Sequence, residues 1–569
     1  MLDDPILDYF NAREDIRPAK KRRIAERTIS VLSENKSVLS ENKYTNFNDY
    51  LCKRGIEFEA EVIAELKRRH GTLVTQIASS FQQSRCAKVF AETRIALQRG
   101  RPIIYQGVLH APLNKILYSN SAAADITVVG MPDLIVREDY LDVFGGKAKK
   151  QQNKKKIKYV AIDIKSSQIS LCADGEHVRN GTASMRANKA QIYIYNLLLN
   201  CVTGGGATFA HVYGRAGGNA ADIKKNKRYQ IGRLDFAMHD AEIAAKARDA
   251  LAWRARLLID FDSIDLADLH PNMKNKQDSP WRCRKLELAE ERGELTTLWM
   301  VGVKARAEGI EQGIYSWRDK RCTAAKLGFG AETKRGVTLD AILRVNRSKK
   351  AKYASGPIDA VKRLLAQSRG TSEFFVDFET AIIEGQGHVI FMIGLYFKQG
   401  RVMRYVNFCA DRINAANEKR LIQQFQKFIH NNAKKYRIYH WSAAETSLYR
   451  KACRKYRLRG TLVSAHWRDL LAIFHAGPIV VKGAFNFSLK SIAQALFDQR
   501  LINDIYDPTA VIKDGAAAMI HALNAERCTS AGGVSLATSN EIKDIAEYNE
   551  YDCRILYEIL NQFLRVATK

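Results

Sequence analysis

The sequence predicts an α/β protein of several domains, and three observations predict it. The chain has 569 residues, too many for one hydrophobic core, with an ordinary apolar fraction of 46%. Runs rich in β-branched and apolar residues alternate with stretches of helical periodicity. Two of the strand-like runs carry acids at strand spacing. One is Ala161-Ile-Asp163-Ile-Lys165, with Met131-Pro-Asp133 upstream. The other is Phe375-Val-Asp377-Phe-Glu379, with Tyr548-Asn-Glu-Tyr-Asp552 near the C-terminus.

The whole chain is strongly basic. Lys and Arg number 90 against 61 Asp and Glu, a formal net charge of +29. Such a surplus concentrates polyanions around the protein, and nucleic acid is the expected partner. Carboxylates clustered inside a basic protein point to divalent metal ions brought up to phosphate. The ten cysteines are scattered and form no C-x-x-C pair, which excludes the usual zinc and iron–sulfur spacings. Scattered thiols fit a reducing compartment, and a cytoplasmic location is expected. The start Met1-Leu-Asp-Asp-Pro5 lacks the apolar stretch of a signal peptide, and no apolar run reaches the ~18 residues of a membrane span. There is no Gly-x-x-x-x-Gly-Lys-Ser/Thr loop, so no ATP motor is visible, and any helicase would be a separate partner.

Residues 1–45 read as a basic, flexible tail. They hold Lys20-Lys-Arg-Arg23 and a tandem Ser-Val-Leu-Ser-Glu-Asn-Lys-like duplication at 30–36 and 37–43, too short to be a structural repeat. A first domain is expected over 46–262. Leu51, Phe58, Val62, Ile63 and Leu66 recur at helical spacing. Residues 125–137 and 158–165 read as antiparallel strands joined by the Lys-rich loop 147–158. That loop either grips a nucleic-acid backbone or is a solvated insertion. A helix over 185–200, a strand over 207–213 and a helix over 240–259 follow. The stretch 263–368 reads as a helical connector. Within it, the run from Leu295 to Arg306, followed by Gly309 and Gly313, either resembles a helix-hairpin-helix or is a plain linker. A last domain over 369–569 shows strand, hairpin partner, helix, strand and a long terminal helix, an α/β pattern with a mixed sheet.

The first acidic set has a physical logic. Asp163 and Lys165 are two apart on a strand, so both side chains share a face. A carboxylate there can hold a metal while an ammonium positions the nucleophile or stabilises developing charge. Asp133 lies on the neighbouring strand, and Gln191 and Tyr195 are four apart on one helix face. Taken in order with Gly55-Ile-Glu-Phe-Glu59, these residues resemble the RecB-type branch of the PD-(D/E)XK nucleases, over about 47–260. That resemblance implies a restriction-endonuclease-like fold, with Glu59, Asp133 and Asp163 as metal ligands and Lys165 as the catalytic lysine. Gln191 and Tyr195 would line the cleft, and Glu57 is the rival to Glu59.

In the second set, Asp377 and Glu379 also share a strand face, where paired carboxylates repel unless a metal or protons lie between them. Tyr548 and Asp552 are four apart on a helix. Three or four carboxylates and a hydroxyl able to orient water suit two-metal hydrolysis. The residues resemble the ribonuclease-H-like DEDD exonucleases in their tyrosine variety, with His466-Trp-Arg-Asp-Leu-Leu471 and Ser488-Leu-Lys-Ser-Ile-Ala493 as further landmarks. The resemblance implies Asp377, Glu379, Glu445 and Asp552 as ligands of Mg²⁺ or Mn²⁺ and Tyr548 as a catalytic residue. Glu445 departs from the family, which usually has Asp there. The order of modules is similar to bacterial RecB-family nucleases carrying a C-terminal ribonuclease-H-like domain. This implies a metal-dependent nuclease on DNA, with RNA possible and 3′–5′ exonuclease activity in the C-terminal domain; the alternative is a nucleic-acid-binding scaffold with one or both sites silent.

Overall fold

Pro132 divides the apolar run 125–137 into two strands belonging to different sheets, since its ring removes a ladder donor. The computed structural model describes residues 4–19, 28–30, 43–78, 83, 86–117, 125–147, 157–216, 228–350, 370–383, 386–504, 506–507 and 509–568. The chain divides into one unit of residues 1–41 and 48–270 and another of residues 42–47 and 271–569.

Among the described residues, nine strands lie in the first unit: β1 (Thr28–Ser30), β2 (Val74–Gln76), β3 (Ile103–Tyr105), β4 (Leu109–Pro112), β5 (Thr127–Gly130), β6 (Leu134–Arg137), β7 (Tyr159–Ile169), β8 (Phe209–Ala216) and β9 (Tyr229–Asp235). Six of them form a sheet of order β2-β3-β6-β7-β8-β9, and three form a sheet of order β1-β5-β4. Leu134 pairs with Ile162 across antiparallel β6 and β7. β7 pairs in parallel with β8, and the helix Ala183–Thr203 lies between them in sequence. Alternation then sorts the central strands onto two faces. Leu134, Val136, Val160, Ile162 and Ile164 pack on Phe58, Val62, Ile63 and Leu66 of the helix Phe47–His70. Ile135 and Ala161 pack with Ile192, Tyr195, Leu198 and Leu199 of the helix Ala183–Thr203. Asp163 and Lys165 continue the phase of Ala161, which is the side of that second helix.

The N-terminal stretch differs from the flexible tail expected of it. Pro5–Ala19 is a helix with Ile6, Tyr9, Phe10 and Ala12 buried, and Tyr9 stacks on Phe261 at 4.8 Å. β1 pairs in parallel with β5. A few apolar residues at helical spacing outweigh the polar composition around them. The basic run from Lys20, most of the duplication, and residues 148–156 of the Lys-rich loop lie outside the described residues.

A buried ion pair ties helix to turn in this unit. Lys189 Nζ lies 2.6 Å from Asp240 Oδ1, both side chains are fully buried, and the ammonium also donates to the Val178 carbonyl at 2.6 Å. Lys189→Ala strands the Asp240 charge and is expected to destabilise the unit by about 3–5 kcal/mol. Denaturant unfolding would show this, and Lys189→Met combined with Asp240→Leu should recover most of the loss.

Five strands form the sheet of the second unit: β10 (Ser372–Ile383), β11 (Gly387–Gln399), β12 (Val402–Cys409), β13 (Tyr436–His440) and β14 (Trp467–Asp469), in the order β12-β11-β10-β13-β14. β10, β11 and β12 form an antiparallel meander, and β13 and β14 run parallel to β10. The helix Ala415–Asn432 packs Phe425 against Phe378, and the terminal helix Asn540–Thr568 packs Ile555 and Ile559 in a core with Phe375 and Tyr439. The stretch expected as a separate connector shares that core. Leu295, Leu298, Val301, Ile314, Leu339 and Ile342 are buried in the same cluster as Phe375, Tyr439 and Trp441. Gly309 sits inside the helix Val303–Glu311, where an added Cβ would meet Leu327 Cδ2 at 2.8 Å. Its small size therefore serves helix packing.

Candidate metal centres

The residues of the first set lie in the first unit, and among the described residues their acids do not form a group as tight as that of the second set. Glu59 is buried in the helix Phe47–His70, while Glu57 is exposed and pairs with Arg54 at 2.7 Å. The two rivals thus differ in burial, Glu59 facing the interior and Glu57 the surface. Asp133 follows Pro132 at the entry to β6, and its Oδ2 accepts the Ile164 N–H at 2.7 Å. Asp163 is 3% exposed, and Lys165 Nζ lies 2.5 Å from its Oδ2. The register of β7 against β8 shifts just past Lys165, the kind of irregularity that re-aims side chains beside a site. Gln191 donates to the Tyr195 hydroxyl at 2.8 Å. Burial first, then the charges of Asp163, Asp133 and Glu59, push the Tyr195 phenol far above its ordinary pKa.

Tyr105 and Gln106 belong to this centre and were not foreseen. The Tyr105 hydroxyl and Gln106 Nε2 each donate to Glu59 Oε1 at 3.1 Å. Burial and then the Glu59 charge push the Tyr105 phenol up. A strand-end tyrosine followed by glutamine carries no distinctive spacing, so only the fold reveals the contact.

The second centre is tighter. Among the described residues, Asp377, Glu379 and Asp552 form a group whose carboxylate oxygens lie within 4.8 Å of one another. Glu379 and Asp552 are buried, and Asp377 keeps some exposed surface. β10 carries the first two, and its register against β11 shifts between Glu379 and Thr380, a bulge beside the site. The helix Asn540–Thr568 supplies Asp552 and, three residues earlier, the fully buried Asn549. Asn549 Nδ2 donates to Asp377 Oδ2 at 3.0 Å and to Glu379 Oε1 at 3.3 Å, and the Tyr405 hydroxyl donates to Asn549 Oδ1 at 3.0 Å. Gly394 is required beneath this amide, since an added Cβ would lie 1.6 Å from Asn549 Oδ1.

Two phenols serve Asp552. Tyr506 and Tyr548 both hydrogen-bond its carboxylate, and Tyr506 was not anticipated from the sequence. The Lys490 ammonium sits over both rings, 4.7 Å from that of Tyr506 and 4.8 Å from that of Tyr548. Burial first and then Asp552 push the Tyr548 phenol far up. Glu445, in the first turn of the helix Ala444–Tyr456, lies outside the tight group. It is buried and pairs with His440 Nδ1 at 3.4 Å, yet its charge still raises the pKa of Asp377 and Asp552. Ser442, between β13 and that helix, has φ 114°, and its hydroxyl donates to Glu445 Oε2 at 3.5 Å. Backbone strain of this kind is held in place by its surroundings and gathers at functional sites.

Burial and then the Asp552 charge raise Glu379 to about 8, and burial followed by Asp552 and Glu379 raises Asp377 well above the usual carboxylate range. Without a cation the group therefore keeps protons at neutral pH. A metal must displace them, so its affinity is expected to rise with pH up to about 8. In metal-free protein the folded state binds more protons than the unfolded chain, so stability present below 4.5 is lost as pH rises toward about 8. Mn²⁺ titration calorimetry and metal-free melting across this range should show opposite trends.

The sheet order, the flanking helices and the carboxylate group define a C-terminal RNase H-like domain. The family described as the RNase_H superfamily matches residues 374–511. Asp377, Glu379, Glu445, Lys490 and Tyr506 fall inside that match, and Tyr548, Asn549 and Asp552 lie beyond it. No curated protein matches the chain. RNase H-like nucleases use divalent metals, and such a domain implies a nucleic-acid substrate. Among the described residues, no helix is long and apolar enough to cross a membrane.

Proposed function

We propose that the protein is a metal-dependent nuclease hydrolysing phosphodiester bonds, acting on DNA in preference to RNA. The observation that carries this reading is the group of Asp377, Glu379 and Asp552, drawn within 4.8 Å inside an RNase H-like domain. The donor set is all carboxylate and suits hard cations, Mg²⁺ or Mn²⁺. A metal bound there would polarise the phosphate and lower the pKa of water. Asp377, Glu379 and Asp552 hold it, with Glu445 as a longer carboxylate beside them. Asn549 fixes the first two acids, and Tyr548 orients the attacking water. The activity assigned to this domain is 3′–5′ exonucleolytic.

The first centre is a second nuclease site of the PD-(D/E)XK kind, and the chain is a RecB-family nuclease fused to the RNase H-like domain. Glu59, Asp133 and Asp163 hold the metal, Lys165 stabilises developing charge, and Gln191 and Tyr195 line the cleft. Any helicase acting with it is a separate, cytoplasmic partner. A scaffold with a silent first centre is favoured by one observation, that no group of acids there matches the tightness of the second among the described residues.

Purified protein should degrade nucleic acid with Mg²⁺ or Mn²⁺ and stop with EDTA. Asp163→Ala and Asp377→Ala should each remove a separable part of the activity on single-stranded DNA, double-stranded DNA or RNA. A double variant that cuts as well as the wild type sinks the nuclease reading. Full activity in Asp163→Ala alone leaves the scaffold reading of the first centre.

A further inference from the structure

Glu59 comes from a helix, whereas Asp133 stands at the entry to β6 and Asp163 and Lys165 lie within β7, so something must hold the helix acid to the strands. Gln106 is placed to do so. It follows β3 with φ 52°, a left-handed conformation that residues other than glycine rarely adopt. Backbone bonds anchor it on both sides. Its N–H donates to the Asp133 carbonyl at 2.9 Å, and its carbonyl accepts the Ala78 N–H at 3.3 Å. The side chain then reaches Glu59. Nε2 donates to Glu59 Oε1 at 3.1 Å and to the Tyr105 hydroxyl at 3.0 Å, and that hydroxyl donates to the same Oε1 at 3.1 Å.

These contacts continue through the rest of the centre. Gln106 joins Glu59 to Asp133, Asp133 accepts the N–H of Ile164, and Ile164 stands between Asp163 and Lys165. The chemistry of the link also matters. An amide and a phenol orient a carboxylate without neutralising it, whereas a lysine or arginine would compete with a cation for its charge. We infer that Tyr105 and Gln106 are a positioning pair that holds the Glu59 carboxylate toward Asp133 at the entry to β6 and Asp163 within β7, so that a divalent cation meets an ordered ligand set. The inference rests on the reading of the first centre as a metal site.

The test uses the full chain with the second centre silenced by Asp377→Asn and Asp552→Asn, and reads Mn²⁺ binding by electron paramagnetic resonance. Gln106→Gly deletes the side chain while placing at φ 52° the residue that adopts it without strain. It is expected to melt cooperatively and to bind Mn²⁺ about 10-fold more weakly, the size of effect seen when the partner of a metal ligand is lost. Tyr105→Phe keeps the ring and should weaken binding less. Gln106→Glu faces Glu59 with a second carboxylate and should move the pH dependence of binding upward. In each variant the Mg²⁺ concentration for half-maximal cleavage should rise more than kcat falls. Unchanged Mn²⁺ affinity in both Gln106→Gly and Tyr105→Phe overturns the positioning role, provided that Asp163→Ala abolishes binding. Should Asp163→Ala bind Mn²⁺ like its parent, the metal reading of the centre falls, and the inference falls with it.

Discussion

Asp552→Asn is expected to abolish Mg²⁺-dependent hydrolysis by the C-terminal centre and, at the same time, to stabilise the metal-free protein. The loss follows from the geometry. Asp552 is one of three carboxylates with oxygens within 4.8 Å of one another, and on the proposed function each supplies part of the charge that would hold the metal. Metal stabilisation of a phosphoryl transition state is worth several kcal/mol, and each ~1.4 kcal/mol is tenfold in rate, so a fall of about 10³-fold is expected. The gain follows from the same crowding. Asp552 is the charge that most raises the pKa of both Asp377 and Glu379. Asparagine keeps an oxygen for the Tyr506 and Tyr548 hydroxyls and removes the repulsion. Wild-type protein should melt at higher temperature when Mg²⁺ is added, because the ion binds only the folded state. With the first centre silenced by Asp163→Ala in both proteins, the variant should start higher without metal and not respond to it. In that background, a variant that still responds to Mg²⁺ and still cuts would remove Asp552 from the ligand set.

What the sequence made legible was local. Asp163 with Lys165 and Asp377 with Glu379 could be paired because strand alternation acts over two residues, and Tyr548 with Asp552 because a helix turn acts over four. Glu59 is buried and Glu57 exposed, a distinction that needs the packed helix. The contacts that organise the centres are not local. Gln106 reaches Glu59 across 47 residues, Tyr506 reaches Asp552 across 46, and Tyr405 reaches Asn549 across 144. No periodicity encodes such pairs. The connector misled for a related reason. Leu295, Val301 and Ile342 look like an independent helical stretch, yet their apolar faces are satisfied by Phe375 and Tyr439 of the sheet. The helix at Pro5–Ala19 was hidden because composition over 45 residues averages away the few positions that bury. Glu445 matched a motif by position, yet it pairs with His440 and lies outside the tight group.

Lys165→Met and Asp163→Asn should separate binding from turnover in the first centre. Lys165 Nζ lies 2.5 Å from Asp163 Oδ2, and Asp163 is almost wholly buried, so in the absence of metal the ammonium is its counter-charge. Two accounts of that pair make opposite predictions. If the lysine is only a structural counter-ion, methionine leaves a buried carboxylate unpaired, metal-free stability falls, and a bound cation repairs the defect with turnover intact. If the lysine stabilises charge developing on the reacting phosphate, a cation restores stability but not rate. Turnover should then fall by about 10²–10³-fold, the usual cost of removing one preorganised electrostatic contact. Mn²⁺ affinity in Lys165→Met should equal or exceed that of the wild type, since a competing positive charge has gone. Asp163→Asn should lose affinity and turnover together. The proposed function takes the second account. Lys165 lies in phase with Asp163 on the face that Tyr195 and Gln191 occupy, and the strand register shifts just after it. Single-turnover cleavage at saturating Mn²⁺, measured with the C-terminal centre silenced, decides between them. Wild-type rates in Lys165→Met would return the pair to a structural role.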